Sequence, residues 1–529
     1  MASRKRKNST GSGSSTEPPS KRHNQDSSIR CLANSIDIPK RLENAITNQS
    51  KGFYELNFPI ASLNGLQRLA WGLDLRAESV SVCLKFPNGK ASDFVSFCVH
   101  TSTDNEERQL RHRFCTSKGN DPIMTPCSPR STILTCVLSR ELYSLTGLRG
   151  CRDIAVIYDK ACQIIDSDPT KHCLVCGRNF EIDFKVKLYT PTACSGSCMQ
   201  KLDKWPLRAR LSHLLSDFKT LDFLLCSIYS AVDGQNKYPN LYGTKDSLLV
   251  DCPLKLDQVQ PTIDSFPKVS DKLGISDLLH PGSGKLMKSR RRLLSWLSIR
   301  VRGCMVSLKP GAEFFAGGKA MEMCHQFMLL NSVLERQASF VKNIRKVGVG
   351  SVAFHGCKAS RTFNIITDAL RNMWGKNYFI EESGIFFSNN PSYSFFYAAS
   401  QRGSEGSFRA WKRSTFGDRS WAVIFGLEVA LSHIPYSYEE HSTLDEGLLM
   451  IRYVFLVPTE EYPSAQSSSY MYNAPLHLQA EIKQDVMKKA FKALDEGRLV
   501  QQQIGLNVDK SGWRGERTGG FTGGSSTTK

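Results

Sequence analysis

Four cysteines in two close pairs restrict the middle of this chain more than any other feature. The stretch "HCLVCGRNFEIDFKVKLYTPTACSGSC" holds Cys173, Cys176, Cys194 and Cys198, spaced C-x2-C, seventeen residues, then C-x3-C. Tetrahedral zinc asks for four ligands, with thiolate sulfurs ~2.3 Å away, and two pairs of thiolates supply them once the loop between brings the pairs together. That loop, "FEIDFKVKLY", has the alternation of a strand or hairpin. Four ligands leave no open position, so such a site is structural, adding ~10 kcal/mol or more of apparent folding free energy to a loop-rich module. His172 stands beside the first pair as a replacement ligand, and the same spacing also suits four buried cysteines without metal.

The redox surroundings bear on that choice. No apolar run approaches the ~18–20 residues of a membrane span, and the N-terminal stretch is basic and hydroxyl-rich with no apolar signal core. The expectation is an intracellular protein whose seventeen cysteines are reduced, so that clustered ones suggest metal before disulfide. The formal charge of +19 favours polyanionic partners, and two places hold much of it. "SRKRK" and "PSKR", the latter Pro19 to Arg22, are spaced like a bipartite nuclear import signal; a solvated basic tail has the same look. "GKLMKSRRRLLSWLSIRVRG" carries Lys285, Lys288, Arg290, Arg291, Arg292, Arg300 and Arg302 with no acid. It reads either as a nucleic-acid contact or as an amphipathic helix that buries Leu293, Leu294, Trp296 and Leu297.

With 529 residues, 40% of them apolar, the chain can support several cores. Residues 1–50 are poor in apolar side chains and are expected to be a disordered basic tail. Over 51–165 the runs "SVSVCLKF", "DFVSFCVH", "STILTCVL" and "DIAVIY" look β-like, with one helix near "LNGLQRLAWGL", which predicts an α+β domain of unknown role. Residues 166–335 form the cysteine-bearing and helical region, and β-like runs resume over 336–462. The remainder, 463–529, is a connector, an amphipathic helix and a Gly/Ser/Thr-rich tail. Leu478, Ile482, Val486, Ala490 and Leu494 recur every four residues in that helix.

The run "SVAFHGCKAS" puts His355 and Gly356 where a strand gives out. Twenty-eight residues after Gly356 comes "GIFFSNNPSYSFFYA", then the apolar "WAVIFGLEVALS" and the closing "LLMIRYVFLV". This order resembles the catalytic domain of the poly(ADP-ribose) polymerase family. There a His-Gly strand end is followed by a G-I-Y-F segment, then a serine and a tyrosine at fixed offsets. Here Ser394 and Tyr397 follow Phe386 by eight and eleven residues, in the family's register. The cysteine pairs and "CHQFMLLNS" upstream are similar to the mono-ADP-ribosyltransferase branch that carries a cysteine-rich region, so the resemblance runs over roughly 165–460.

The resemblance implies an α+β chain with an ADP-ribosyltransferase-like split antiparallel sheet, NAD+ as substrate and a protein acceptor. Splitting the nicotinamide–ribose bond passes through an oxocarbenium-like state and releases a neutral base, so the site must hold, orient and stabilise rather than protonate. By resemblance Gly356 and Ser394 bind the carboxamide, Tyr397 stacks on the ring, worth ~1 kcal/mol beyond burial, and His355 bonds a ribose hydroxyl. Two positions depart from the family. Phe386 stands where the family has tyrosine. The third catalytic position, thirteen residues before Tyr453, falls on Glu440, and one-residue gaps give Glu439 or His441. The resemblance therefore leaves two readings, a mono-transferring enzyme or an inactive relative that serves as a protein or nucleic-acid interaction module.

Overall fold

Alternating apolar residues in the N-terminal half give a four-stranded antiparallel meander. A computed structural model describes residues 42–50, 52–63, 65–73, 77–86, 96–101, 132–186, 188, 190–215, 217–237, 249–269, 278, 284–308, 324–347, 351–372, 384–388, 391–400, 408–417, 419–431 and 441–459. By contacts the chain divides into residues 1–38 and 39–529, and every described residue lies in the second unit. The expected basic tail with its two charge clusters, apart from 42–50, and the helix after Pro475 lie outside the described residues.

The meander is β1 (Ile46–Ser50), β2 (Phe53–Pro59), β3 (Ser79–Lys85) and β4 (Ser96–Thr101), paired in that order, with α1 (Gly65–Trp71) between β2 and β3. Leu56, Val82 and Val99 are cross-strand partners on its apolar face. Helices α2 (Ile133–Leu142) and α3 (Ile154–Ile165) follow, and Tyr158 of α3 stacks on Phe58 with ring centroids 5.1 Å apart.

These two helices correct the β reading of "STILTCVL" and "DIAVIY". A short unbroken apolar run fits either a buried strand or a buried helix, and the residue in front decides. Thr132 caps α2 in a reciprocal box with Thr135, and Asp153 accepts from the main-chain nitrogens of Ala155 (2.8 Å) and Val156 (3.4 Å) at the start of α3.

A helical middle follows: α4 (Phe180–Asp183), α5 (Gly196–Leu202), α6 (Leu207–Leu215), α7 (Phe218–Lys237), α8 (Leu256–Asp264) and α9 (Lys285–Arg300). The second sheet then draws on β5 (Cys304–Ser307), β6 (His325–Asn331), β7 (Ser351–Cys357), β9 (Trp421–Val429) and β11 (Leu449–Pro458). Its order is β5-β6-β11-β9-β7, with every neighbour antiparallel. Two of its strands precede residue 336, so the boundary expected there falls inside one sheet. "CMVS" is too short to show an alternation that would have revealed it.

Helices α10 (Leu334–Val347), α11 (Thr362–Asp368) and α12 (Pro391–Ser400) complete this part. A two-stranded pair, β8 (Ile385–Phe387) with β10 (His441–Thr443), stands beside β7. Phe354 and Ser388 join the two through mutual main-chain bonds of 2.7 and 2.9 Å. The described chain is thus α+β with antiparallel sheets.

One face of the large sheet packs on α7, where Phe223 stacks against Phe327 (4.5 Å) and Phe408 (5.4 Å). Beside Phe223 sits Asp222, with no exposed surface. It accepts from Trp411 Nε1 (2.7 Å), Ser414 Oγ (3.0 Å), and both the nitrogen and hydroxyl of Thr415 (2.6 Å each). Burial pushes its carboxyl up, and these bonds pull against the shift. Asp222→Ala leaves several buried donors unpaired at about 1–3 kcal/mol each, so a loss of at least ~3 kcal/mol is expected in denaturant unfolding. A loss below ~1 kcal/mol would mean that this network is not what ties residues 408–417 to α7.

Candidate functional site

The cysteine quartet closes on itself. Cys173 and Cys176 flank a turn in which the Gly177 nitrogen donates to the Cys173 carbonyl at 2.9 Å, with Gly177 at φ +73°. The Leu174 nitrogen donates to Thr192 O at 3.0 Å and ties the first pair to the segment that carries the second. Ser195 caps α5 and aims Cys198 inward from the helix start. The four sulfurs lie within 4.8 Å of one another, with Cys176–Cys194 at 3.5 Å and Cys194–Cys198 at 3.8 Å. Bonds of ~2.3 Å at tetrahedral angles place sulfurs roughly 3.8 Å apart, so the cluster has the size a four-thiolate zinc site needs.

The main-chain N–H of Arg178 draws Cys176 down to about 7, while burial and the neighbouring thiols push Cys194 up to about 12. Cys194 therefore keeps its proton near neutral pH unless a cation takes that proton's place. His172 is not in the cluster, because its Nε2 pairs with Asn179 Nδ2 at 3.2 Å. The loop between the pairs is not the expected hairpin. Asn179 caps the single turn α4 through Ile182 N (3.0 Å), and irregular backbone follows.

The His-Gly pair lies on β7, and the elements around it converge. Strand alternation puts His355 on the face of Ala353 and Cys357, and Gly356 on the other. Its Nδ1 lies 2.6 Å from the carbonyl of Phe386 on β8. A carbonyl only accepts, so Nδ1 carries the proton and the neutral ring keeps Nε2 as an acceptor. Burial holds the imidazole below its ordinary 6.5, and the bond to Phe386 only partly offsets this.

On the other face, helix α12 lies against Gly356. A Cβ there would stand 1.9 Å from Ser394 O and 3.2 Å from the Ala398 nitrogen. Ser394 is buried, and Tyr397, one turn on, is 43% exposed, with Tyr393 and Phe396 also exposed on the helix. Gly356 and Ser394 are thus in direct contact although thirty-eight residues separate them. Glycine at 356 is demanded first by the helix backbone.

Phe386 is half-buried and faces Ser442 across the β8–β10 pair. Glu440 and Glu439 lie outside the described residues, whereas His441 opens β10 opposite Phe387, their rings 5.9 Å apart. The polar "HST" offers no apolar alternation, so only its pairing with β8 makes it a strand. Gly384, at φ +138°, has Ser442 Cβ and Thr443 O each 3.2 Å from the site of a missing Cβ, so it too serves that pairing.

The basic helix α9 resolves toward packing. It buries Leu293, Leu294, Trp296 and Leu297. Arg290 donates to Ser265 Oγ (2.7 Å) and Arg292 to Pro253 O (2.5 Å). Arg300 pairs with Asp368 (2.7 Å) and, just beyond the helix, Arg302 with Glu335 (3.2 Å). Among the described residues no helix is long and apolar enough to cross a membrane. A cavity lined by Ala70, Leu174, Thr192, Trp205, Arg210 and Arg302 belongs to the cysteine segment and does not include His355. Comparison of the chain with protein-family models and with curated proteins gives no match.

Gly356→Ala drives a methyl group into a main-chain carbonyl, which no side-chain rotation relieves. The expected result is a loss of at least about 2 kcal/mol in thermal or denaturant unfolding. Unchanged stability would show that α12 does not lie on β7 as described.

Proposed function

We propose that this chain is an NAD+-dependent protein ADP-ribosyltransferase that moves a single ADP-ribose unit and releases nicotinamide. The observation that carries the reading is the contact of Gly356 with the Ser394 backbone beside the His355–Phe386 bond. Together they draw the three motif-bearing segments to one end of β7. The five-stranded sheet with a two-stranded pair at its β7 edge is also compatible with a split transferase sheet.

In this reading Gly356 and Ser394 hold the carboxamide and the Tyr397 ring lies against the nicotinamide. The Nε2 of His355, which carries no proton in this tautomer, accepts a hydrogen bond from a ribose hydroxyl. The C1′–nitrogen bond breaks with its electron pair leaving on nicotinamide, which needs no acid. An acceptor nucleophile on the target protein then bonds C1′ and loses its proton to water. The third catalytic role falls to Glu440. The proposal includes structural zinc on Cys173, Cys176, Cys194 and Cys198, which cross-links the segment and takes no part in transfer. A nuclear location follows from the basic clusters within residues 4–22.

A second reading is favoured by Phe386, which lacks the hydroxyl that the family's tyrosine supplies. The chain would then be an inactive relative that serves as an interaction module.

Incubating the pure protein with adenylate-labelled NAD+ separates the two. Wild type is expected to transfer label to itself or to added protein. His355→Ala should lower transfer at least about tenfold, the equivalent of one ~1.4 kcal/mol contact, while leaving the fold intact. Phe386→Tyr should match or exceed wild type. Because His355 titrates below 6.5, transfer should show no loss centred at 6.5 that belongs to this residue as pH falls from neutral. Absence of NAD+ consumption by both wild type and Phe386→Tyr would overturn the enzyme reading in favour of the interaction module.

A further inference from the structure

The meander of β1 to β4 has one apolar face and one face of a different kind. Glu55 on β2 stands opposite Cys83 on β3, and Cys83 stands opposite Cys98 on β4. Ser81 stands opposite His100, so alternation puts Glu55, Ser81, Cys83, Cys98 and His100 on a common face. A solvated polar face would be exposed, yet Ser81, Cys83, Cys98 and His100 are each 5% exposed or less.

Three of these groups converge. The Glu55 carboxylate, the Cys83 sulfur and a His100 ring nitrogen lie within 4.8 Å of one another. Cys83 Sγ and His100 Nε2 are 3.5 Å apart. Zinc bonds of ~2.3 Å to sulfur and ~2.0–2.1 Å to nitrogen at a tetrahedral angle set these atoms about 3.5 Å apart.

We propose that Glu55, Cys83 and His100 form a second metal site, for one divalent cation of borderline softness, with zinc the best match. Thiolate, imidazole and carboxylate together favour such an ion over magnesium or calcium, which take oxygen ligands. Three ligands leave the fourth position to water. The ion would clamp three adjacent strands. The site is independent of the quartet and of transferase activity.

Metal analysis of the full chain, purified without chelator, tests this. One zinc equivalent is expected to be lost in Cys83→Ser and again in His100→Ala, and to remain in Cys176→Ser, which removes only a quartet ligand. X-ray absorption at the zinc edge of wild type provides a readout that needs no variant, with nitrogen or oxygen expected in the average first shell. A first shell of sulfur alone would overturn the proposal, as would a zinc content that does not change on Cys83→Ser.

Discussion

A helix backbone rests directly on a strand at one point, and much of the second half of the chain is arranged to allow it. The main-chain oxygen of Ser394 occupies the space where any side chain at 356 would begin. Because of that, α12 can lie low on the end of β7, with Ser394 buried and Tyr397 at its edge. The bond from His355 to Phe386 O and the bridge between Phe354 and Ser388 fix β8 on the neighbouring side. Two stretches of chain are held to one strand end by backbone geometry rather than by charge, so salt should affect their relation little.

The rest of the second half braces that arrangement. Strand β9 lies between β7 and β11 and is buried along nearly its whole length, which suits a continuous apolar run in a central strand. Just before β9, Asp222 on α7 gathers Trp411, Ser414 and Thr415, and Phe408 bonds to Trp421 at the start of the strand. The cysteine segment is held from two sides. Arg140 of α2 donates to the carbonyls of Leu174 and Val175, and Arg345 of α10 to that of Lys185. Cross-linking this segment by metal would therefore stiffen a joint between the meander's helices and the large sheet.

How much of this could be read in advance depended on the distance over which each signal acts. The quartet was legible because both pairs are local and their spacing is dictated by metal geometry. Strands β7, β9 and β11 were legible as apolar runs, and α9 as a helix with one buried face. Helices α2 and α3 were not, since Thr132 and Asp153, one residue each, outweighed β-like runs. The β10 strand was invisible because its only warrant is a partner some fifty-five residues earlier. Glu55, Cys83 and His100 are separated by twenty-eight and seventeen residues, and only strand register joins them. The resemblance gives Gly356 a carboxamide to bind, but nothing local in the sequence shows that the backbone of α12 also requires glycine there.

The claim that this strand end is a nicotinamide site is tested most directly by a crystal structure of the full chain with a non-hydrolysable NAD+ analogue. The proposed site predicts the nicotinamide ring against the face of Tyr397, its carboxamide at the Gly356 main chain, and a ribose hydroxyl at Nε2 of His355. An analogue bound elsewhere, or a Tyr397 ring that cannot reach the His355 side of β7, would contradict it.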